Sequence, residues 1–150
     1  LQALLPLRGL QLRFLEWGSA TGVITIMADL LGFEAYGIEL DPELVDTARG
    51  LAGKYDSAAR FAAGSYLPAG YRWRPGNGDG GEDIIGAGVS GYTELQHPLE
   101  HFDLVFAFPW SGEEPMMHDI MRRYGGRDAR LLLHSVTEGV QVYRAGQLEK

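Results

Sequence analysis

Five residues, Gly18-Ser-Ala-Thr-Gly22, constrain this chain more than any others. They follow a short apolar run, Leu12–Trp17, that reads as a buried strand. They precede apolar residues at Val23, Ile26, Met27, Leu30 and Leu31. That spacing is the stripe of an amphipathic helix. A strand, a glycine turn and a helix start, in that order, put free backbone N–H groups where a ligand can come close.

The pattern then repeats. Gly32 suits the left-handed position that ends the helix, and Glu34–Leu40 reads as a second strand. Asp41 is a good N-cap, Pro42 fits the first helical position, and Glu43 favours the positive end of the helix dipole. Leu44, Val45, Ala48, Leu51 and Ala52 supply the apolar face of that helix, and Ala59–Ala63 reads as a third strand ending at Gly64-Ser65. Phe102–Phe108 is a fourth strand. Glu113-Glu114-Pro115 opens a helix whose stripe is Met116, Met117, Ile120, Met121 and Tyr124, and Gly125 ends it. Its methionines are read as core packing. Arg130–Val136 is a fifth strand, Thr137-Glu138-Gly139 turns the chain, and Val140–Tyr143 returns antiparallel. Leu1–Leu5 is read as the tail of an N-terminal helix.

Between about Pro68 and His101 the rhythm breaks. Pro75–Gly81 is loop chemistry, and Ile84–Val89 fits either a strand or a turn of helix. A segment of this length without clear structure is read as functional, mobile or both, or as an insertion. The order β-α-β-α-β, long segment, β-α-β-β predicts an α/β fold in three layers. Its sheet is mostly parallel, with helices on both faces and a C-terminal antiparallel hairpin. The whole of 1–150 is expected to form one domain, with a Gly-rich insertion at about 68–101. In such sheets the ligand crevice lies at the C-terminal strand ends.

Bulk properties narrow the partners. The formal charge is −7 and the pI about 5.0, which argues against a nucleic-acid backbone as ligand. Arg72, Arg74, Arg122, Arg123 and Arg127 are read as solvated rather than as a basic patch. There is no cysteine, so a disulfide framework, a thiolate zinc site and a cysteine nucleophile are excluded. No apolar stretch approaches the roughly 20 residues of a membrane-spanning helix. Leu1–Leu10 lacks a basic leader and a small-residue cleavage site, so the expected location is cytoplasmic.

Glu39 ends the second strand about 20 residues after the glycine loop, where a carboxylate can accept both hydroxyls of a ribose. Two cofactor classes fit. A dinucleotide needs the tighter G-x-G-x-x-G turn and brings a pyrophosphate to the helix start. This loop is one residue out of that register, and Glu16 would add a negative charge beside the pyrophosphate. A cationic adenosyl cofactor is favoured by the same carboxylate.

Glu16-x-Gly18-x-x-x-Gly22 resembles the first motif of Rossmann-type (class I) S-adenosylmethionine-dependent methyltransferases. Gly37-Ile38-Glu39-Leu40-Asp41-Pro42 resembles their second. Ala63-Gly64-Ser65 is similar to the segment after their third strand, and Phe102-Asp103-Leu104-Val105 to their fourth-strand entry. The resemblance covers about 14–65 well and 102–136 loosely. It implies a Rossmann-like sheet that binds S-adenosyl-L-methionine. The implied cofactor loop is Glu16, Trp17, Gly18, Ser19, Ala20 and Gly22. Gly18, Ala20 and Gly22 would approach the methionine part and the sugar, and Glu16 would help hold the amino group. Glu39 would bind the ribose and Leu40 would pack on the adenine. Ser65 and Tyr66 would lie near the adenine edge, and Phe108 would face the methionine part.

The chain departs from the pattern at four points. Ala20 replaces the middle glycine. Ser65 stands where many members carry an Asp. The fifth strand turns straight into a hairpin without an intervening helix. Phe108-Pro109-Trp110 resembles the Asn/Asp-Pro-Pro-aromatic motif of amino-group methyltransferases, but Phe108 cannot accept a hydrogen bond from an amine. Trp110 is a candidate wall for an aromatic or apolar acceptor. No catalytic residue is assigned. Glu113, Glu114, His118 and His134 are candidate bases, needed only if the acceptor must lose a proton. Helix-dipole placement accounts for the two glutamates; His118 is expected to be exposed and His134 to be a satisfied core residue. His97 and His101 are too irregularly placed to read as a metal pair, and no metal is expected. The expected function is methyl transfer to a small-molecule acceptor. A non-catalytic adenosyl-binding module or partner subunit is the alternative, and a nicotinamide-dependent oxidoreductase is disfavoured by Glu16 and the loop register.

Overall fold

The computed structural model describes residues 12–73, 84–85 and 89–150. The expected N-terminal helix tail and the Pro75–Gly81 loop lie outside those residues. Among the described residues seven strands form one sheet, in the order β3-β2-β1-β6-β7-β8-β9. The strands are β1 (Arg13–Trp17), β2 (Glu34–Glu39), β3 (Arg60–Ala63), β6 (Leu104–Ala107), β7 (Arg130–Ser135), β8 (Gly139–Arg144) and β9 (Gln147–Leu148). The first five are parallel; β8 and β9 are antiparallel. The antiparallel return after the fifth long strand therefore matches expectation, and β9 extends it. Between β3 and β6 lie a two-stranded ribbon, β4 (Arg72–Trp73) with β5 (Ile84–Ile85), and a short helix α3 (Gly91–Leu95). The alternatives left open at Ile84 thus resolve as strand for Ile84–Ile85.

Alternate strand residues go to opposite faces, and helices cover both. Phe14, Leu104, Phe106 and Leu132 pack with Ala28 of α1 (Val23–Leu30) on one face. Phe61 joins Ile26, Val45, Ala48 and Ala52, which brings α2 (Pro42–Lys54) onto that same face. Leu15, Trp17, Ile38, Val105, Leu131 and Leu133 face the other way, against α3 and against Met116, Met117 and Ile120 of α4 (Glu114–Tyr124). Burial on both sides is why these strands read as continuous apolar runs. Among the described residues no helix is long and apolar enough to cross a membrane.

Local chemistry sets the element ends as expected at α2. Asp41 Oδ1 accepts the Glu43 N–H at 2.9 Å, and Pro42 opens the helix. The stripe read for α1 needs correction. Val23 and Met27 are exposed, and Leu30 is 58% exposed. Ile26 is buried and Leu31 packs on the core, as expected, but Ile24, Thr25 and Ala28 face inward in place of the other three. A polar side chain, Thr25, can face inward there because it is hydrogen-bonded to a buried carboxylate, described below. On α4, Met116, Met117 and Ile120 are core as expected, but Tyr124 is exposed at one edge, its ring set against Tyr71.

Candidate functional site

The order of strand addition reverses between the parallel strands β1 and β6, because the chain winds out through β2 and β3 and then crosses back. That switch point places the loops after β1 and β6 side by side at the C-terminal strand ends, where open α/β sheets bind ligands. Four segments meet there: 18–22, 39–41, 64–66 and 108–110.

The first loop is held to the second strand by its backbone. The N–H groups of Gly18 and Ser19 both donate to the Ile38 carbonyl, at 2.9 and 3.0 Å, and the Gly22 N–H returns to the Ser19 carbonyl at 2.7 Å. Gly18 has a φ of +70°, which a glycine adopts freely, and a side chain added there would meet nothing within 4 Å among the described residues. Its outer face is open to an incoming group. Ala20 has a φ of +48°, a conformation that costs a residue with a Cβ about 1–2 kcal/mol. Strain of this kind gathers at ligand sites. Ser19 packs against Gly37, and its buried Oγ has no hydrogen-bond partner among the described residues.

Glu39 is the hinge of the arrangement. Its Oε1 accepts the strained Ala20 N–H at 3.0 Å, and its Oε2 accepts the Asp41 N–H at 2.9 Å. The carboxylate is half-buried and keeps lone pairs free beyond those two bonds. Leu40, next along, is exposed beside it.

Glu16 sits beneath the loop rather than in its mouth. It is 7% exposed, and its Oε1 accepts the Thr25 hydroxyl at 2.8 Å. Burial pushes its carboxyl up to about 7, against the lowering effect of the Thr25 side-chain and backbone hydrogen bonds, while the nearby Glu39 charge adds to the rise. Glu16 therefore ties the end of β1 to the first turn of α1. Thr25 was not among the expected site residues. Its signal in the sequence is a hydroxyl at the third position of the helix that opens after the glycine loop.

On the opposite face the site is backed by aromatics. Trp17 is buried, stacks on Tyr66 at 5.0 Å between ring centroids, and donates its indole N–H to Tyr92 Oη at 2.9 Å. Tyr92 in turn donates to the Tyr66 carbonyl at 2.7 Å. Tyr66 Oη donates to Glu113 at 3.3 Å, linking the loop after β3 to the start of α4. Burial first, and then the Glu113 carboxylate, push the Tyr66 hydroxyl up. Ser65 is buried, and both of its backbone groups are taken: its N–H goes to the Val89 carbonyl and its carbonyl accepts the Gly91 N–H. Its Oγ accepts the Leu67 N–H at 3.1 Å, which leaves the hydroxyl proton to be donated.

At the end of β6, Phe108 is exposed and lies flat on His134 of β7, with centroids 4.9 Å apart and planes 27° apart. Trp110 is 79% exposed, so it does not pack under a loop. His134 is half-buried, and its buried Nδ1 has no partner among the described residues; it is not the satisfied core residue expected. His118 is half-buried too, not exposed. It lies 3.6 Å from Glu114 and edge-on to the Tyr143 ring, away from the strand ends. A groove of about 520 Å³ runs there, between α4 and β8, past His118, Arg122 and Tyr143. It includes none of the residues of the β1 loop. Of the four candidate bases, His134 and Glu113 border the strand-end cleft; Glu114 and His118 border Tyr143 instead.

No known family model matches the chain, and no curated protein does. Solved structures do. An RNA methyltransferase from Salinibacter ruber, in complex with S-adenosyl-L-homocysteine, superposes with a TM-score of 0.61 at 18% identity, over 89% of this chain and 72% of that one. A precorrin-6y C5,15-methyltransferase from Geobacter metallireducens gives 0.56 at 16% identity, over 85% and 55%. A SAM-dependent methyltransferase from Thiobacillus denitrificans, again with S-adenosyl-L-homocysteine, gives 0.54 at 17% identity, over 88% and 47%. The chain spans about half the length of two of these three structures. The chain has the fold of the class I S-adenosylmethionine-dependent methyltransferases.

Proposed function

We propose that the chain binds S-adenosyl-L-methionine across the ends of β1, β2 and β6 and is a methyltransferase for a small-molecule acceptor. One observation carries this reading: Glu39 holds the strained Ala20 N–H while keeping acceptor capacity free, beside a Gly18 whose outer face is open. The residues present fit the cofactor. Glu39 would take the ribose hydroxyls, exposed Leu40 would pack on the adenine, and the Ser65 hydroxyl and Tyr66 would border its edge. Gly18, Ala20 and Gly22 would line the sugar and methionine part, and Phe108 would face the latter from β6. Trp17, Ser19 and Glu16 act from behind, holding the loop in shape. Bound there, the cofactor would supply an activated methyl group for in-line displacement, a step that depends on alignment more than on acid–base help.

The chain's own residues set what can be aligned. Exposed Phe108 and Trp110 offer apolar planes to an acceptor, and the acidic net charge disfavours a nucleic acid in that role. His134, stacked on Phe108, and Glu113, bonded to Tyr66, border the cleft and would be the groups to take a proton lost by the acceptor. A second reading, an adenosyl-binding module without catalysis, is favoured by the same Phe108, which gives an amine acceptor nothing to bond to. Incubation with cofactor and a panel of amine, hydroxyl and thiol acceptors separates the two. Acceptor-dependent S-adenosylhomocysteine formation is expected. Its absence across the panel, with cofactor bound, selects the module.

A further inference from the structure

We propose that His97 and His101 chelate one divalent transition-metal ion through their two Nδ1 atoms. The pair lies at the opposite end of the sheet from the strand-end cleft, beside the starts of β1 and β2, and the proposal is independent of the function assigned above. His97 Nδ1 and His101 Nδ1 are 3.2 Å apart. Zinc–imidazole bonds of about 2.0–2.1 Å at that separation subtend an angle of about 100° at the metal, near the tetrahedral value. Imidazole nitrogens suit zinc, nickel and copper.

The surroundings fix which nitrogen of His97 is available. Tyr36 Oη donates its one proton to Glu34 Oε1 at 2.5 Å. The His97 Nε2 lies 3.3 Å from the same Oη, which has only lone pairs left to offer it. His97 Nε2 must then carry the proton, and the neutral ring turns a bare Nδ1 towards His101, whose Nδ1–H donates to it; a metal ion would take the place of that proton, which shifts to the Nε2 of the exposed His101 ring. Arg13 closes the chain by bonding the other oxygen of Glu34 at 3.1 Å. A hydrogen-bonded relay behind a ligating imidazole is the usual means of setting its tautomer and orientation.

Packing holds the two rings on a short rigid turn. The His101 N–H bonds to the Pro98 carbonyl at 3.0 Å and the Phe102 N–H to the Leu99 carbonyl at 3.1 Å. Leu99 and Phe102 are buried anchors of that turn. The His97 ring stands edge-on to Tyr36 and to Phe102, while His101 is exposed and able to adjust. Among the described residues no group of three or more His, Asp or Glu side chains converges, so solvent completes the coordination. Arg13 and Arg60 are the cations facing His97, and Glu34 is the anion that offsets Arg13.

The test is a titration of the whole chain with zinc chloride, followed by imidazole nitrogen NMR and by calorimetry. One ion per chain is expected, with the Nδ1 resonances of both His97 and His101 shifted. His97→Gln and His101→Gln should each weaken binding by about tenfold or more, and His118→Gln should leave it unchanged. Far-UV circular dichroism checks that each variant is folded; exposed His101 is the safer of the two to replace. No binding at about 1 mM zinc (an affinity weaker than roughly −4 kcal/mol), coordination through Nε2, or full affinity in His101→Gln overturns the proposal.

Discussion

The carboxylate of Glu39 accepts the backbone N–H of Ala20 at 3.0 Å, so the end of the second strand holds the loop after the first. Removing it should be felt twice. Glu39→Ala releases the N–H groups of both Ala20 and Asp41, and hydrogen bonds to a charged acceptor are worth about 1.5–3 kcal/mol each before solvent takes its share. Chemical denaturation should show a loss of about 1–3 kcal/mol. Calorimetry should show adenosyl ligands bound at least about tenfold more weakly, a loss of roughly 1.4 kcal/mol. Unchanged ligand affinity would mean that the ribose does not meet Glu39.

Gly18→Ala separates folding from binding. The left-handed backbone at +70° costs the new methyl about 1–2 kcal/mol, yet the methyl meets no atom of the described residues within 4 Å. The variant should fold, with a modestly lower midpoint in urea. Ligand affinity should fall by more than that strain explains, because the methyl stands where the ligand approaches. Equal affinity in variant and parent contradicts the loop's place in the site.

Ala20→Gly should do the reverse for stability. It relieves a Cβ held at a φ of +48°, against the extra chain entropy that glycine brings to the unfolded state. The expected net gain is about 0.5–1 kcal/mol, read as a higher denaturation midpoint. A loss of stability would show that the methyl is packed rather than strained.

Glu16 makes stability pH-dependent in a direction opposite to that of a salt-bridged carboxylate. Its folded-state value, about 7, lies above the ordinary 4.5, so between those two values the folded protein holds the extra proton. Stability from this group is complete below about pH 4.5 and is lost as pH rises through 7. The shift corresponds to about 3 kcal/mol at most. Glu16→Gln keeps an acceptor for the Thr25 hydroxyl and removes the titration. Its stability should lack the parent's decline from pH 5 to 8 and exceed the parent's at pH 8. Parallel curves for the two proteins would show that Glu16 does not titrate in this window.

Tyr92→Phe probes the aromatic backing. It strands the buried Trp17 indole N–H and frees the Tyr66 carbonyl, at a cost of about 1–3 kcal/mol for an unsatisfied buried donor. The drop should appear in thermal unfolding, together with a change in tryptophan fluorescence. A stability within 0.5 kcal/mol of the parent, the usual range for neutral surface changes, contradicts that role.

The chemistry of single residues made much of the fold legible. Asp41-Pro42-Glu43 announced a helix start, and the runs Leu12–Trp17 and Phe102–Phe108 announced the strands found at Arg13–Trp17 and Leu104–Ala107. Periodicity placed Ile26 and Leu31 of α1 correctly but misread Val23, Met27 and Leu30, which are exposed, while polar Thr25 faces inward to buried Glu16. Helix α3 has five residues and no stripe; it is placed by contacts from afar, with Gly91 against Ile38 and bonded to Ser65. The candidate loop was visible as a motif, but its supports were not. Tyr92 lies 75 positions from Trp17, and Glu113 47 from Tyr66, separations across which no local pattern speaks. The setting of the His97–His101 pair was hidden for a similar reason: the contact behind His97 comes from Tyr36 of β2, 61 positions away.

Calorimetric titration of the chain with S-adenosylmethionine, with NAD titrated in parallel, tests the central claim most directly. The account predicts saturable binding of one S-adenosylmethionine per chain, weakened in Glu39→Ala, and no comparable heat with NAD. No binding of S-adenosylmethionine at about 1 mM, where the free energy would be weaker than roughly −4 kcal/mol, or tighter binding of NAD, would contradict it.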